Sequence, residues 1–291
     1  MGDSAKGVLA MAAACTIWGL SPLFYALLSH IPPMEVLAHR TLWSLVIFAG
    51  ILALQGRLAE LPAALSTRRL FLLVALSTAM ISVNWFLFIY AVGVGRTVEA
   101  SLGYYIYPLV AVAIGAVVLR EGLGALQAVA VALAAGAVLV LTVGLGAPPW
   151  ISLTLATTFG VYGLLKRWVM AGPVVSVTSE VLLFLPLALG YLIWVASKGG
   201  LNLSPGDMAL FVASGPMTAV PLILFSYAAK RVRMATVGLI QYLNPSLQFA
   251  VAVLILNEAI TIWHMIAFPV IWLALTFYSV ATLRGPRRVA S

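Results

Sequence analysis

Two prolines interrupt long apolar stretches at matching places, Pro108 in Gly103-Tyr-Tyr-Ile-Tyr-Pro108 and Pro245 in Gln241-Tyr-Leu-Asn-Pro245. A proline inside a helix has no N–H to give the carbonyl four residues earlier, here those of Tyr104 and Gln241, and its ring strains the preceding turn. Around them, helical spacing groups Ser101, Tyr104 and Tyr105 with Pro108, and Gly238, Gln241 and Tyr242 with Pro245. Trp18, Pro22 and Tyr25 form a similar stripe further upstream, Asn84 and Phe88 another, and Tyr162 stands alone in a later apolar stretch. Aromatic faces with a few hydroxyl and amide groups suit reversible recognition of a small molecule that is part apolar and part polar, including amino acid side chains and ammonium groups. Pro22, Pro108 and Pro245 are then hinge candidates. The competing explanations are plain structural kinks for the prolines and an interfacial aromatic belt for the Trp and Tyr residues.

Polar groups deep in apolar sequence need partners. Asn84 requires a protein, water or substrate partner, because an unsatisfied buried amide costs several kcal/mol; a substrate site and helix-to-helix glue account for it equally well. Glu35, His39 and Arg40 lie near the start of one apolar stretch and are candidates for coupling or gating, although an arginine there can also snorkel to the interface. Glu180 and Glu99 join Glu35 as carboxylates placed to carry a coupling proton or to gate, with helix-end packing as the alternative for each. Reactive chemistry has little support. There is no nucleophile–base pair, no Gly-x4-Gly-Lys-Ser/Thr loop and no cofactor motif, and His30, His39 and His264 are too scattered for a metal site. One cysteine, Cys15, excludes an internal disulfide.

The elements that must position these groups are membrane helices. Hydrophobic residues make up 63% of the chain and charged residues 8%, too few for the solvated surface of a soluble domain. Apolar stretches run over 7–28, 36–54, 70–92, 98–119, 123–143, 150–168, 174–197, 208–229, 235–256 and 260–281, each near the ~20 residues needed to cross a bilayer. Between Gln55 and Arg69 the chain reads as a loop or interfacial turn. The net charge of +8 does not indicate nucleic acid, because the basic residues are dispersed between spans. With a cytoplasmic N-terminus, thirteen of the sixteen Lys and Arg residues fall inside and only Arg40, Arg96 and Lys198 outside, as the positive-inside rule requires of ten spans. Both termini are expected in the cytoplasm.

An internal repeat sets the symmetry. Ser77–Glu121 aligns without gaps on Ser214–Glu258 at an offset of 137, matching Tyr90 with Tyr227, Arg96 with Arg233, Tyr105 with Tyr242, Pro108 with Pro245 and Glu121 with Glu258. Thr16–Gly19 faces Thr157–Gly160, and Glu35-Val-Leu37 faces Glu180-Val-Leu182, which makes Glu35 and Glu180 an expected symmetry pair. Two halves, 1–146 and 147–291, each with five spans, must be inverted relative to one another. Pro108, about 14 Å along its helix from Glu99, would sit near the midplane. The pathway is therefore expected between the fourth and ninth spans, touching Tyr105 or Tyr242.

Several stretches carry a family likeness: Trp18-Gly-Leu-Ser-Pro22, His39-Arg-Thr-Leu-Trp-Ser44, Asn84 through Val92, Glu99-Ala-Ser-Leu-Gly-Tyr-Tyr105 with Pro108, Tyr162-Gly163, and Gln241-Tyr242 with Pro245. They resemble the drug/metabolite transporter superfamily, in the EamA-type branch that holds the RarD-like and YddG-like exporters. The resemblance implies an all-α membrane fold of ten helices in two inverted five-helix repeats, and gradient-driven movement of small metabolites, typically outward. The partners expected are a small-molecule substrate, amino acid or amphipathic metabolite, and the lipid bilayer. A channel or structural membrane subunit is the alternative, and an intramembrane enzyme a remoter one; a channel would need a continuous polar helix face, which the sequence lacks.

Overall fold

In the computed structural model, residues 2–284 are described, apart from 119, 121, 123, 170, 201, 202 and 233. The repeat residues Glu121 and Arg233 and the basic residues Arg287 and Arg288 lie outside the described residues. All described secondary structure is helical: α1 (Asp3–Ala26), α2 (Pro33–Leu54), α3 (Glu60–Ala64), α4 (Arg68–Gly93), α5 (Thr97–Val118), α6 (Ala125–Leu145), α7 (Trp150–Lys166), α8 (Pro173–Ser197), α9 (Pro205–Ala229), α10 (Met234–Gln241), α11 (Leu243–Leu254) and α12 (Ile262–Arg284). Among the described residues nine segments are long and apolar enough to cross a membrane, α10 and α11 counting together as one. The tenth, α7, has 17 residues and so rises only about 25 Å. The loop after α2 carries the short helix α3, where a turn was expected.

Local signals set the helix ends. Pro33, Pro173 and Pro205 open α2, α8 and α9 at a position where no intrahelical N–H bond is lost. Thr67 caps α4 by accepting from the Leu70 amide, and Ser204 and Asp207 cap α9 reciprocally. Gly146 ends α6 in the left-handed conformation, with φ 70°. The two internal prolines behave differently. α5 runs unbroken through Pro108, whereas the ninth span is interrupted at Tyr242, three residues before Pro245. The carbonyl of Tyr242 is taken by the Ser246 hydroxyl at 2.7 Å.

Helix pairing follows the inverted repeat. α5 packs on α7 as α10–α11 packs on α1, and α4 on α7 as α9 on α1, while the pairs α2 with α8, α6 with α12 and α5 with α11 map onto themselves. The helix starts also revise one symmetry pair. α2 and α8 both open on proline, and both are continuously buried from the third to the ninth residue, 35–41 in one and 175–181 in the other. The residue occupying the place of Glu180 is therefore Arg40, not Glu35. The short Glu-Val-Leu match was outweighed by the burial periodicity of the whole helix.

One pair of symmetric seams is unequal. α2 lies along α9 over an extended contact, but the equivalent seam between α4 and α8 is sparser and holds a crevice lined by Thr41, Ile81, Ser82, Trp85, Glu180, Val181 and Phe184. The cause is visible in the residues. Gly215 of α9 lies so close to the Trp43 backbone of α2 that an added Cβ would stand 2.7 Å from its carbonyl oxygen. In α4 the matching position is Thr78, which carries the side chain that Gly215 lacks and whose hydroxyl donates to the Glu180 carbonyl of α8 at 3.3 Å.

Candidate functional site

Polar groups from six helices converge beneath the α1–α2 and α4–α5 turns. Asn84 of α4 is 1% exposed and is satisfied across two helices: its Nδ2 donates to the Leu155 carbonyl at 2.9 Å and to Thr158 Oγ1 at 3.1 Å on α7, and its Oδ1 accepts from the Tyr104 hydroxyl of α5 at 2.9 Å. Aromatic rings surround this core. Phe88 and Phe159 meet Tyr104 edge-on, at 5.9 and 6.0 Å between centroids, and Tyr25 meets Phe88 at 5.8 Å. Such edge-to-face contacts are worth about 0.5–1.5 kcal/mol each beyond burial, so the walls are well fixed.

Arg40 completes the cluster. Its position, seven residues into α2, is about 10 Å from the helix start, where an arginine could reach back to the interface. It does not snorkel. The side chain turns inward, 7% exposed, with Nε donating to Thr218 Oγ1 of α9 at 3.0 Å and the guanidinium 4.2 Å from the Trp85 ring and 5.7 Å from that of Tyr25. A cation at the centre of a membrane helix costs about 2.5–3.5 kcal/mol on insertion scales, and two aromatic faces recover part of that. His39 is stacked on Phe211 at 4.0 Å, and neither ring nitrogen has a partner among the described residues. Glu35 Oε1 is likewise buried without one.

The symmetry-related place near the other ends of the helices carries the opposite charge, and that charge is matched. Glu180 of α8 accepts from Lys166 Nζ at 2.6 Å and from the Tyr162 hydroxyl at 3.1 Å, and Lys166 also donates to Ser176. Lys166 Nζ lies 5.1 Å from the Tyr162 ring. Trp85 of the first cluster and Glu180 of the second both border the narrow crevice between α4 and α8.

The remaining expected residues lie elsewhere. Tyr105 does not share the face of Tyr104; consecutive helical residues are about 100° apart, and Tyr105 turns to α11 and α12, where its hydroxyl meets Ser246 Oγ at 2.7 Å and its ring meets Phe268 at 5.9 Å. Tyr242 packs against the same apolar cluster. Ser101 donates to the Val98 carbonyl of its own helix. Trp18 is half-buried beside Phe225, its carbonyl accepting from Ser21 Oγ, and Gln241 is half-buried at the end of α10. Pro22 and Pro245 are buried within helices. Glu99 pairs with Arg96 of the same turn. The α5–α11–α12 face is packed, with Tyr105 and Tyr242 in one apolar cluster.

Other participants escaped the sequence reading. Trp85 and Thr218 hold Arg40, Phe159 walls Tyr104, and Lys166 answers Glu180. Glu258 also matters: its two carboxylate oxygens accept from the amides of Thr97 and Val98 at 2.7 and 2.8 Å, capping α5 from the other half of the chain. Trp85 sits inside the Asn84–Val92 stretch, Lys166 had been a topology marker and Glu258 a repeat match, so each was on view without its role.

Comparison with known proteins agrees with this architecture. Residues 5–143 match the model of the EamA-like transporter family. A protein named RarD from Streptomyces exfoliatus is 44% identical over 98% of this chain and 92% of its own. The chain belongs to the EamA-like transporter family, as a RarD-like member of the drug/metabolite transporter superfamily. An uncharacterized transporter of Vibrio cholerae is 38% identical over 97% of this chain and 95% of its own. A solved crystal structure shares the fold, with a TM-score of 0.60 over 96% of this chain and 98% of that one, at 17% identity. This family member is thus a multi-pass membrane transporter for small molecules, and its aromatic, amide and guanidinium groups are to be understood as parts of a transporter.

Proposed function

We propose that this transporter exports amino acids, aromatic and neutral ones included, and related small amphipathic metabolites across the bacterial inner membrane by alternating access, with both termini in the cytoplasm. Residues 1–146 and 147–291 act as the two moving repeats. The observation that carries the proposal is the buried cluster of Arg40, Trp85, Asn84 and Tyr104 beside unequal symmetric seams. Inverted repeats exchange conformations between their halves, so a closed α2–α9 seam and a parted α4–α8 seam are the two arrangements that one cycle alternates. The cluster lies where the two seams approach each other, with aromatic walls for an apolar body and fixed polar groups for its head. Dispersed basic residues between the spans favour the stated orientation.

Counterflow in proteoliposomes tests this. Vesicles preloaded with unlabelled amino acids should take up the labelled compound faster than empty ones, because a carrier returns loaded. Equal uptake with and without preloading would indicate a channel, and no uptake of any amino acid would remove the assigned substrates.

A further inference from the structure

Resting on the transport reading of this site, we propose that the cluster is an anion receptor: Arg40 takes the carboxylate of an organic acid whose apolar body lies against Trp85 and the rings beside it. The guanidinium has five N–H donors. Nε is used by Thr218, but among the described residues no acceptor is bonded to Nη1 or Nη2 and no carboxylate lies within 4.0 Å. Three other cations at the ends of spans are answered by carboxylates, Lys166 by Glu180, Arg96 by Glu99 and Arg231 by Asp3. Glu35, on the same helix, is five residues away and so about 140° round the axis. Glu180 borders the crevice that Trp85 lines but is occupied by Lys166 and Tyr162.

A buried cation stacked on Trp85 and Tyr25 is held without being neutralised. Thr218 and the two rings fix the plane of the fork, and a planar fork with free parallel N–H groups matches a carboxylate in bidentate geometry. Because these donors are pre-positioned, a bound anion loses little freedom that the protein has not already lost. The Tyr104 hydroxyl, which donates to Asn84, keeps lone pairs that can accept from a second group on the same molecule. Selection follows from charge. A monocarboxylate with an aromatic or aliphatic body completes the site, and an amino acid enters through its carboxylate. An amine of the same body brings a second cation beside Arg40 and is rejected.

Three probes with one phenyl body separate these cases in reconstituted protein: L-phenylalanine, 3-phenylpropionate and 2-phenylethylamine, each assayed for uptake and for competition against the other two. Both acids should be transported and compete, and the amine should do neither. Arg40→Gln should raise the concentration of acid needed by roughly 10- to 100-fold, with Arg40→Lys between the two because it keeps charge without the fork. Thr218→Val, which frees the guanidinium without removing it, provides a milder variant should Arg40→Gln fail to accumulate in membranes; it should weaken acid binding and leave the amine excluded. Transport of the amine with exclusion of both acids, or acid affinity unchanged in Arg40→Gln, overturns the anion receptor and leaves a transporter standing. Failure of all three probes to move or compete overturns the receptor and the assigned substrates together.

Discussion

Replacing Lys166 by methionine isolates what the buried ion pair contributes. Glu180 has a side chain 1% exposed, and Lys166, at 23%, gives it a 2.6 Å contact; once the amine is removed, the neutral hydroxyls of Tyr162, at 3.1 Å, and Ser176 are left to it. Stranding one partner of a buried pair costs about 3–5 kcal/mol. Glu180→Gln is gentler. The amide oxygen still accepts from Lys166 and Tyr162, and Lys166 stands at the end of α7, where its stem can carry the charge to the interface, so a loss of about 1 kcal/mol is expected. The double variant Lys166→Met/Glu180→Gln removes both charges and should be more stable than Lys166→Met alone. Equilibrium unfolding in mixed detergent micelles, titrated with dodecyl sulfate, gives all three values. A double variant that loses the sum of the single losses would show that the pair is not coupled, and equal losses in the two single variants would show that a stranded Glu180 costs no more than a stranded Lys166.

Other outcomes follow from the same geometry. Asn84→Ala and Tyr104→Phe should show a coupling energy of about 0.6 to 1.7 kcal/mol in a double-mutant cycle of unfolding, the range of interhelical hydrogen bonds in membranes; a coupling of zero would mean that the 2.9 Å bond contributes nothing. Gly215→Ala sets a Cβ against the Trp43 carbonyl and should penalise the closed α2–α9 seam by about 1–3 kcal/mol, seen as a longer spin-label distance between these helices; an unchanged distribution refutes it. Ser246→Ala should cost about 0.5–1.5 kcal/mol of stability by removing one of the two partners of the Tyr105 hydroxyl, Trp272 remaining, with substrate affinity unchanged; weaker substrate binding would return Tyr105 to the pathway. Glu258→Gln should loosen the start of α5, read as faster amide exchange at Thr97 and Val98; unchanged exchange would remove the carboxylate from any capping role.

Span number, inversion and family were legible because they rest on long-range regularities: twenty-residue apolar windows, the distribution of basic residues and a gap-free repeat. Asn84 was legible as a residue in need of partners, and the structure supplies Tyr104, Leu155 and Thr158. Facing directions were harder. Tyr104 and Tyr105 are neighbours in sequence, and only the packing of α7 on one side and α12 on the other decides which of them reaches the amide cluster. Arg40 is legible as a coupling or gating candidate that a helix end would also let snorkel, and Thr218, 178 positions away, is what holds it inside. Symmetry misled at one point: a three-residue match paired Glu35 with Glu180, while the helix starts pair Arg40 with Glu180. At this pair the repeat keeps a charge and reverses its sign, whereas Arg96 with Arg233 and Glu121 with Glu258 keep both.

Substrate protection of a single cysteine tests the location of the pathway most directly. With Cys15 replaced by serine, a cysteine introduced at Ile81, in the crevice between α4 and α8, should react with a small thiol reagent and be shielded when a transported acid is present. A cysteine placed instead at Tyr105, inside the α5–α11–α12 seam, should show no such shielding. Protection at position 105 without protection at position 81 would contradict the account and put the pathway between α5 and α11.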